Sequence, residues 1–266
     1  MRLKSLCFAL LLTLPVAAAA QTTEDILAKV YAARGGLEKI RAIRAQRVSG
    51  RISFGEDADG PFVVELKRPL KMHMELTVQD RTMVRVYDGK SHGWANNPFA
   101  DKPDPEATNE GELQNISEES DFDGPLVDYK SKGNEVELVG KDKEKVDGKE
   151  VWRLKLTTPS GEVRYYLFDS ESFLLLKWEG KRKFNGQEFP VESYFHDYRD
   201  VDGVKFAFEI DSGTSASDIK QRIAIDKIEL NPTLEESRFA QPPTPAPPAT
   251  PATPAAPASS APPDSR

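Results

Sequence analysis

The sequence predicts a mainly β domain, α+β in class, built on one large antiparallel sheet, and three observations carry that reading. Five Gly-containing turns, Asp88-Gly89, Asp147-Gly148, Ser160-Gly161, Asn185-Gly186 and Asp202-Gly203, each join two alternating or apolar runs. Asp-Gly and Asn-Gly supply the positive φ angles of two-residue hairpin turns, whose twist matches that of the strands they connect. The runs themselves alternate, as in Met72, Met74, Leu76 and Val78 set between His73, Glu75 and Thr77, so one face is apolar and the other polar. Their number, about eleven or twelve, is too large for an open sheet to stay flat.

Taken in order, the chain opens with Arg2 and Lys4, an apolar stretch from Phe8 to Leu14, and Ala17-Ala18-Ala19-Ala20. This is the pattern of a signal peptide over residues 1–20, with Gln21 as the expected mature start. The apolar stretch is too short to span a bilayer, so an exported, periplasmic, soluble protein is expected. Thr22 or Thr23 caps a first helix, with Glu24 and Asp25 at its positive end and Ile26, Leu27, Val30 and Tyr31 on one face. Gly35-Gly36 ends it, and a short second helix carries Leu37, Ile40 and Ile43 on one side. Both are amphipathic and need an apolar surface to lie on. Strands are expected from Gln46: Val48, Ile52 and Phe54, then Phe62, Val64 and Leu66, then the Met72 run, then Val84 and Val86, then a return ending at Trp94. A break follows over 96–133, holding Pro98, Pro103 and Pro105 and a helix that begins near Glu112 to Ile116. A connection this long is expected to carry structure of its own, and we read it as helix packed on the sheet. Strands resume over 136–146, 151–157, 163–168, 173–184, 188–198, 204–210 and 219–230. From residue 240 to 266 the chain is Pro, Ala, Ser and Thr with almost nothing to bury, so a disordered or semi-rigid tail follows a folded domain over 21–239.

Composition excludes several functions. A net charge of -7 argues against nucleic acid, whose phosphates need a basic patch. The single cysteine, Cys7, lies in the leader, so the mature chain has no thiol for disulfides, catalysis or metal. His73, His92 and His196 are the only histidines and read as surface or edge residues; His196 and Asp197 point to opposite faces of a regular strand. No nucleophile elbow, phosphate loop or helical His-Glu pair is present. Glu118, Glu119 and Asp121 lack the glycine-centred spacing of a calcium loop and read as a solvated acidic face. The expectation is therefore a non-enzyme with no cofactor and no metal.

Several phrases in order resemble one family. Tyr87-Asp88-Gly89-Lys90 followed by Trp94, Phe122-Asp123-Gly124-Pro125-Leu126-Val127-Asp128-Tyr129, Tyr165-Tyr166-Leu167-Phe168-Asp169, Asp197 to Phe206, and Ile228-Glu229-Leu230-Asn231-Pro232 look like the pattern of LolA-like outer-membrane lipoprotein-sorting proteins, over about residues 22 to 240. The resemblance implies a single curved antiparallel sheet of about eleven strands forming an incomplete barrel, with helices plugging the concave side. It implies a carrier of acylated lipoprotein or another lipid across the periplasm, a monomer served by an inner-membrane donor and an outer-membrane acceptor. Met72, Met74, Leu76, Val84, Val86, Trp94, Leu154 and Leu156 are the residues expected to line such a cavity, the methionines adapting to irregular ligands. Each of these side chains also fits a permanent core beneath the helices. The competing expectation is accordingly a non-catalytic envelope binding, sensor or scaffold protein whose half-barrel is filled.

Overall fold

The computed structural model describes residues 21–55, 58–101, 104–142, 144–184, 187–214 and 220–241. The predicted signal segment, the Asn185-Gly186 turn and the tail from Pro242 lie outside the described residues. Helix α1, Thr23–Ala33, starts in a capping box in which Thr22 and Asp25 satisfy each other's backbone N–H groups. Its end is fixed at Gly35, where φ is +114° and any Cβ would sit 2.1 Å from the Gly203 carbonyl oxygen. Helix α2 follows at Leu37–Ala42. Six strands come next: β1 Ala45–Phe54, β2 Ala58–Lys67, β3 Lys71–Val78, β4 Arg81–Tyr87, β5 Gly93–Ala95 and β6 Glu106–Ala107. Helix α3, Glu110–Glu119, is capped by Asn109 and Glu112 in a second capping box. The remaining strands are β7 Glu135–Lys141, β8 Val151–Thr157, β9 Val163–Asp169, β10 Leu175–Phe184, β11 Gln187–Val201, β12 Val204–Gly213 and β13 Gln221–Leu230, closed by a 3-10 turn at Glu236–Phe239.

All thirteen strands form one antiparallel sheet in the order β6-β5-β4-β3-β2-β1-β13-β12-β11-β10-β9-β8-β7. The sheet is an incomplete barrel with its helices on the concave side, as expected, and the short β6, absent from the sequence reading, brings the strand number to thirteen. Every neighbour is a sequence neighbour except at one seam, where β1 pairs with β13 from Gln46↔Leu230 to Phe54↔Gln221. The free edges are β6 and β7, and the segment between them, including α3, returns across the concave face. Asp147-Gly148 and Asp202-Gly203 adopt the positive φ pairs of tight hairpin turns. Gln79-Asp80 does the same between β3 and β4 without a glycine, which is why the turn was not legible.

Antiparallel order sends alternate connections to opposite ends of the sheet. The β1–β2, β3–β4, β5–β6, β8–β9, β10–β11 and β12–β13 connections gather at one end, here called the open end. At the other end α1 and α2 dock: the Lys205 N–H donates to the Arg34 carbonyl, and the Arg44 N–H donates to Oδ1 of Asn231. On the concave face α1 buries Ile26, Leu27 and Val30 against Leu154, Leu156, Tyr166 and Phe168. Each such burial is worth roughly 2 kcal/mol. Helix α2 sets Ile40 and Ile43 on Val127 and Val204, and α3 sets Ile116 on Leu66, Met72 and Tyr87. On the convex face Leu234 and, from the 3-10 turn, Phe239 pack onto Ala45. Beside it Glu65, only 4% exposed, accepts from Arg47 at 2.9 Å and from Arg238 at 2.8 Å.

Arg68, just past β2, joins elements distant in sequence. Its guanidinium donates to both carboxylate oxygens of Asp123, at 2.6 and 2.9 Å, and to the Ile40 and Ile43 carbonyls at the end of α2. The Phe122 ring lies 4.8 Å from the same group. The side chain of Asp123 is 8% exposed, so this ion pair and its hydrogen bonds are what satisfy it. Replacing Arg68 with Met is expected to cost about 3 kcal/mol, because it strands a buried carboxylate. Urea unfolding measures that loss, and Asp123→Asn in the same background should restore part of it.

The β4–β5 turn is held by one carboxylate. Oδ1 of Asp88 accepts from the N–H groups of Lys90, Ser91 and His92. Burial alone would raise its pKa, but these donors outweigh it and hold the group at about 2 against an ordinary 3.8. A depressed carboxylate contributes stability that is present above its unfolded pKa and lost as pH falls through the folded one. The Asp88-dependent part of stability should therefore be constant above about pH 4 and decline towards about pH 2. The difference between wild type and Asp88→Asn, followed by chemical unfolding, should shrink over that window.

Candidate functional site

The half of the sheet around the β1–β13 seam carries an apolar trough. Register places Val48 opposite Val64, Val64 opposite Met74, Phe62 opposite Leu76, and Ile52 opposite Ile223, all on the concave face. Together with Val78, Met83 and Ile225 they form one contiguous cluster, and every member belongs to a strand. Ile52, Phe62 and Leu76 are buried, whereas Val48, Val64, Met74, Val78, Met83, Ile223 and Ile225 are only half-buried. At Gly50, on the floor between Val48 and Ile52, a Cβ would lie 2.1 Å from the Ala224 carbonyl oxygen, so no side chain interrupts the trough there. An apolar surface that its own helices leave only partly covered is a candidate binding surface.

The eight residues singled out in the sequence divide between the two faces. Met72, Met74 and Leu76 stand on the concave face of β3, and Leu154 and Leu156 on the concave face of β8. Met72 is held beneath Ile116 of α3, and Leu154 and Leu156 lie beneath α1 at 0% exposure. Met74 and Leu76 belong to the trough. Val84, Val86 and Trp94 point the other way. Their cross-strand partners are Glu75 for Val84, His73 for Val86, and Val86 for Trp94, which are convex-face positions. The sequence reading aligned β4 by its valines, but the tight Gln79-Asp80 turn sets Met83, Arg85 and Tyr87 opposite Leu76, Met74 and Met72. Val48, Val64, Ile223 and Ile225 were legible as strand residues only; their meeting across the seam depends on a pairing between the first and last strands.

Helix α3 spans from one wall of the half-barrel to the other. Glu119 accepts from Arg85 of β4 at 2.8 Å, and Glu118 accepts from Arg164 of β9. Burial alone would lower the Arg164 pKa, but Glu162 and Glu118 outweigh it and raise it. Next in line, Lys132 holds Asp121 and donates to the Gly124 carbonyl at 2.9 Å. The acidic run expected to be solvated is thus a row of paired carboxylates that positions the helix. Between α3 and the far strands lies a cleft of about 910 Å³, lined by Gln114, Glu118, Arg164, Gly180 and Val191 among others. A volume of this order matches that of known ligand sites. A smaller groove of about 660 Å³ runs outside α1 between Leu37, Tyr31 and Tyr129.

Reactive chemistry is sparse. Among the described residues no group of three or more His, Asp or Glu side chains is placed to hold a metal ion. His73 is not a surface residue, as the sequence suggested, but 6% exposed, with Nδ1 accepting from Arg238 at 3.0 Å. Burial, then the Arg238 charge, lowers its pKa and keeps it neutral. Asp197 sits in a strand irregularity with φ of +49°, and the nearest carboxylate to His196 is Asp147, at 3.8 Å. Among the described residues no helix is long and apolar enough to cross a membrane.

No family model matches the sequence, and no curated protein matches it. Solved structures do match in fold. A DUF1329 family protein from Desulfovibrio piger superposes with a TM-score of 0.56 at 10% identity, over 83% of this chain and 98% of its own. A LolA superfamily protein from Nitrosomonas europaea gives 0.53 at 14% identity, again over 83% and 98%. An outer membrane lipoprotein-sorting protein domain from Vibrio parahaemolyticus gives 0.52 at 10% identity, over 81% and 94%. The chain therefore has the LolA-like fold, as a divergent example of it.

If the two ion pairs hold α3 in place, removing them should loosen that helix before the rest of the molecule. Arg85→Gln and Arg164→Gln together are expected to weaken local protection by about 1–2 kcal/mol. Hydrogen exchange should then speed up roughly tenfold for α3 amides and remain unchanged for β1 and β13.

Proposed function

We propose that this protein is a non-catalytic lipid carrier of the bacterial envelope, exported by its N-terminal segment and working as a soluble monomer. The observation that carries the reading is the strand-only trough, whose apolar walls stay partly exposed beside helix α3. An acyl chain suits such a surface because it needs length and apolar contact rather than hydrogen-bond partners. Each methylene sheltered contributes about 0.8 kcal/mol, so ten of them contribute about 8 kcal/mol before ordering costs, the range of micromolar binding. Met74 and Met83 add side chains able to adjust to different chains.

The cargo is an acylated lipoprotein or another envelope lipid, taken from an inner-membrane donor and passed to an outer-membrane acceptor. Helix α3 acts as the adjustable cover: its own Ile116 occupies the Leu66, Met72 and Tyr87 end of the concave face, so deeper entry of a ligand competes with that contact. Of the eight residues singled out in the sequence, Met74 and Leu76 are proposed as direct lipid contacts. Met72 would meet lipid only when α3 moves, and Leu154 and Leu156 only when α1 does. Within this reading Val84, Val86 and Trp94 support the wall from behind.

Titration of the protein with cis-parinaric acid, a fluorescent fatty acid, tests the proposal. Saturable uptake in the micromolar range is expected, along with lipid adducts in native mass spectra of protein purified from an envelope fraction. Met74→Glu with Ile225→Glu should weaken uptake at least tenfold while leaving the cooperative urea transition in place. A lipid-free mass together with no uptake by the wild type would overturn the carrier in favour of a filled half-barrel that binds proteins.

A further inference from the structure

We propose that the open end of the half-barrel is a membrane-docking rim, in which Phe54, Phe99 and Phe189 contact the surface of a lipid bilayer. Among the described residues the large hydrophobic side chains that stand exposed are Phe54 at 37%, Phe99 at 49%, Val139 at 58% and Phe189 at 36%. All three aromatic ones belong to the same end of the sheet. Phe54 closes β1 before the β1–β2 connection, Phe99 lies in the β5–β6 connection, and Phe189 follows the β10–β11 turn. Val139 is elsewhere, midway along the edge strand β7.

One of these rings continues the trough and another the cleft beside α3. Phe54 lies two residues beyond Ile52 and pairs with Gln221, so it shares the concave face with Ile52 and Ile223. Phe189 shares a face with Val191, which lines the cleft beside α3. Phe99 is stiffened by Arg81, whose guanidinium lies 5.1 Å from the ring and donates to the Pro98 carbonyl at 3.3 Å. A flexible loop tip would lose more freedom on contact than this braced one.

The occupant follows from the direction of the trough. Towards the other end the concave face is covered by Ile40 and Ile43 at α2 and by Ile116 of α3, so a long apolar cargo enters and leaves past these rings. Aromatic side chains spaced along a rim, rather than gathered into one pocket, suit the boundary between headgroups and acyl chains. Among the described residues of this end Arg51 pairs with Asp59, Lys181 with Glu188 and Arg222 with Asp211, so apolar contact rather than attraction to anionic lipid is taken as the main force. Docking here deepens the carrier reading: it brings the trough mouth to the layer from which an acyl chain is drawn.

Flotation with vesicles of phosphatidylethanolamine and phosphatidylglycerol, three to one, separates the two ideas. The full mature chain is expected to float with vesicles, with less than a twofold change between 50 and 500 mM salt. Phe54→Ser, Phe99→Ser and Phe189→Ser combined should reduce the bound fraction at least fivefold, while Val139→Ser changes nothing. Because all three rings are exposed, the triple variant should keep the wild-type circular dichroism and urea midpoint. Uptake of cis-parinaric acid by wild type without flotation, or flotation untouched by the triple change, would overturn the docking rim and leave the carrier standing. Flotation lost in the triple variant, with no parinaric uptake by either protein, would support the rim and remove the carrier.

Discussion

The arrangement of the helices depends on a single guanidinium. Arg68 leaves the end of β2 and reaches both the last turn of α2 and the Asp123 carboxylate, with Phe122 against its flat face. A hairpin connection, the N-terminal helical pair and the segment that follows α3 are thereby tied at one point. A planar group with several fixed donors suits this position, because carbonyls and a carboxylate must be met at once. Lysine has the charge but not the fork. Where α2 and the segment after α3 can lie follows from that fixed point, and α3 itself is then set between Arg85 and Arg164.

The uncovered part has a physical explanation. Three helices of eleven, six and ten residues face thirteen strands, and each buries only one stripe of side chains. Helix α1 covers the β8–β9 region and α3 the β3–β4 end, so the middle of the sheet at the β1–β13 seam is left to its own side chains. Ile52, Phe62 and Leu76 there are buried, but the apolar side chains around them are only partly so. The free edges, by contrast, are well protected against unwanted pairing. β6 has only two residues, and β7 exposes Glu135, Glu137 and Lys141 around Val139, breaks register near Gly140 and has its Leu138 N–H occupied by the Thr23 hydroxyl.

Much of this was legible from local pattern. The capping residues of α1, its Gly35-Gly36 stop and the alternating runs of β1 to β3 follow from chemistry within a few residues, and the structure keeps them. What was not legible had a distant cause or an unusual residue. The β3–β4 turn uses Gln79-Asp80, and without a glycine to mark it the phase of β4 was taken from its valines, which placed Val84 and Val86 on the wrong face. Glu118 and Glu119 looked solvated because Arg85 and Arg164 lie 34 and 46 residues away. His73 looked exposed because its cover, Arg238, comes from the far end of the domain.

The seam between the first and last strands has a kinetic consequence. A ribosome delivers β1 early, yet one of the two partners of β1 is β13, which ends at Leu230. Until that strand is available Val48 and Ile52 lie on an unfinished edge, and the hairpins already made cannot complete their shared sheet. Closing so long a loop is the slow kind of folding event, because ordering costs precede the contacts that offset them. The sheet is therefore expected to stay incomplete until nearly all of the chain has been made, so that its two halves are joined last.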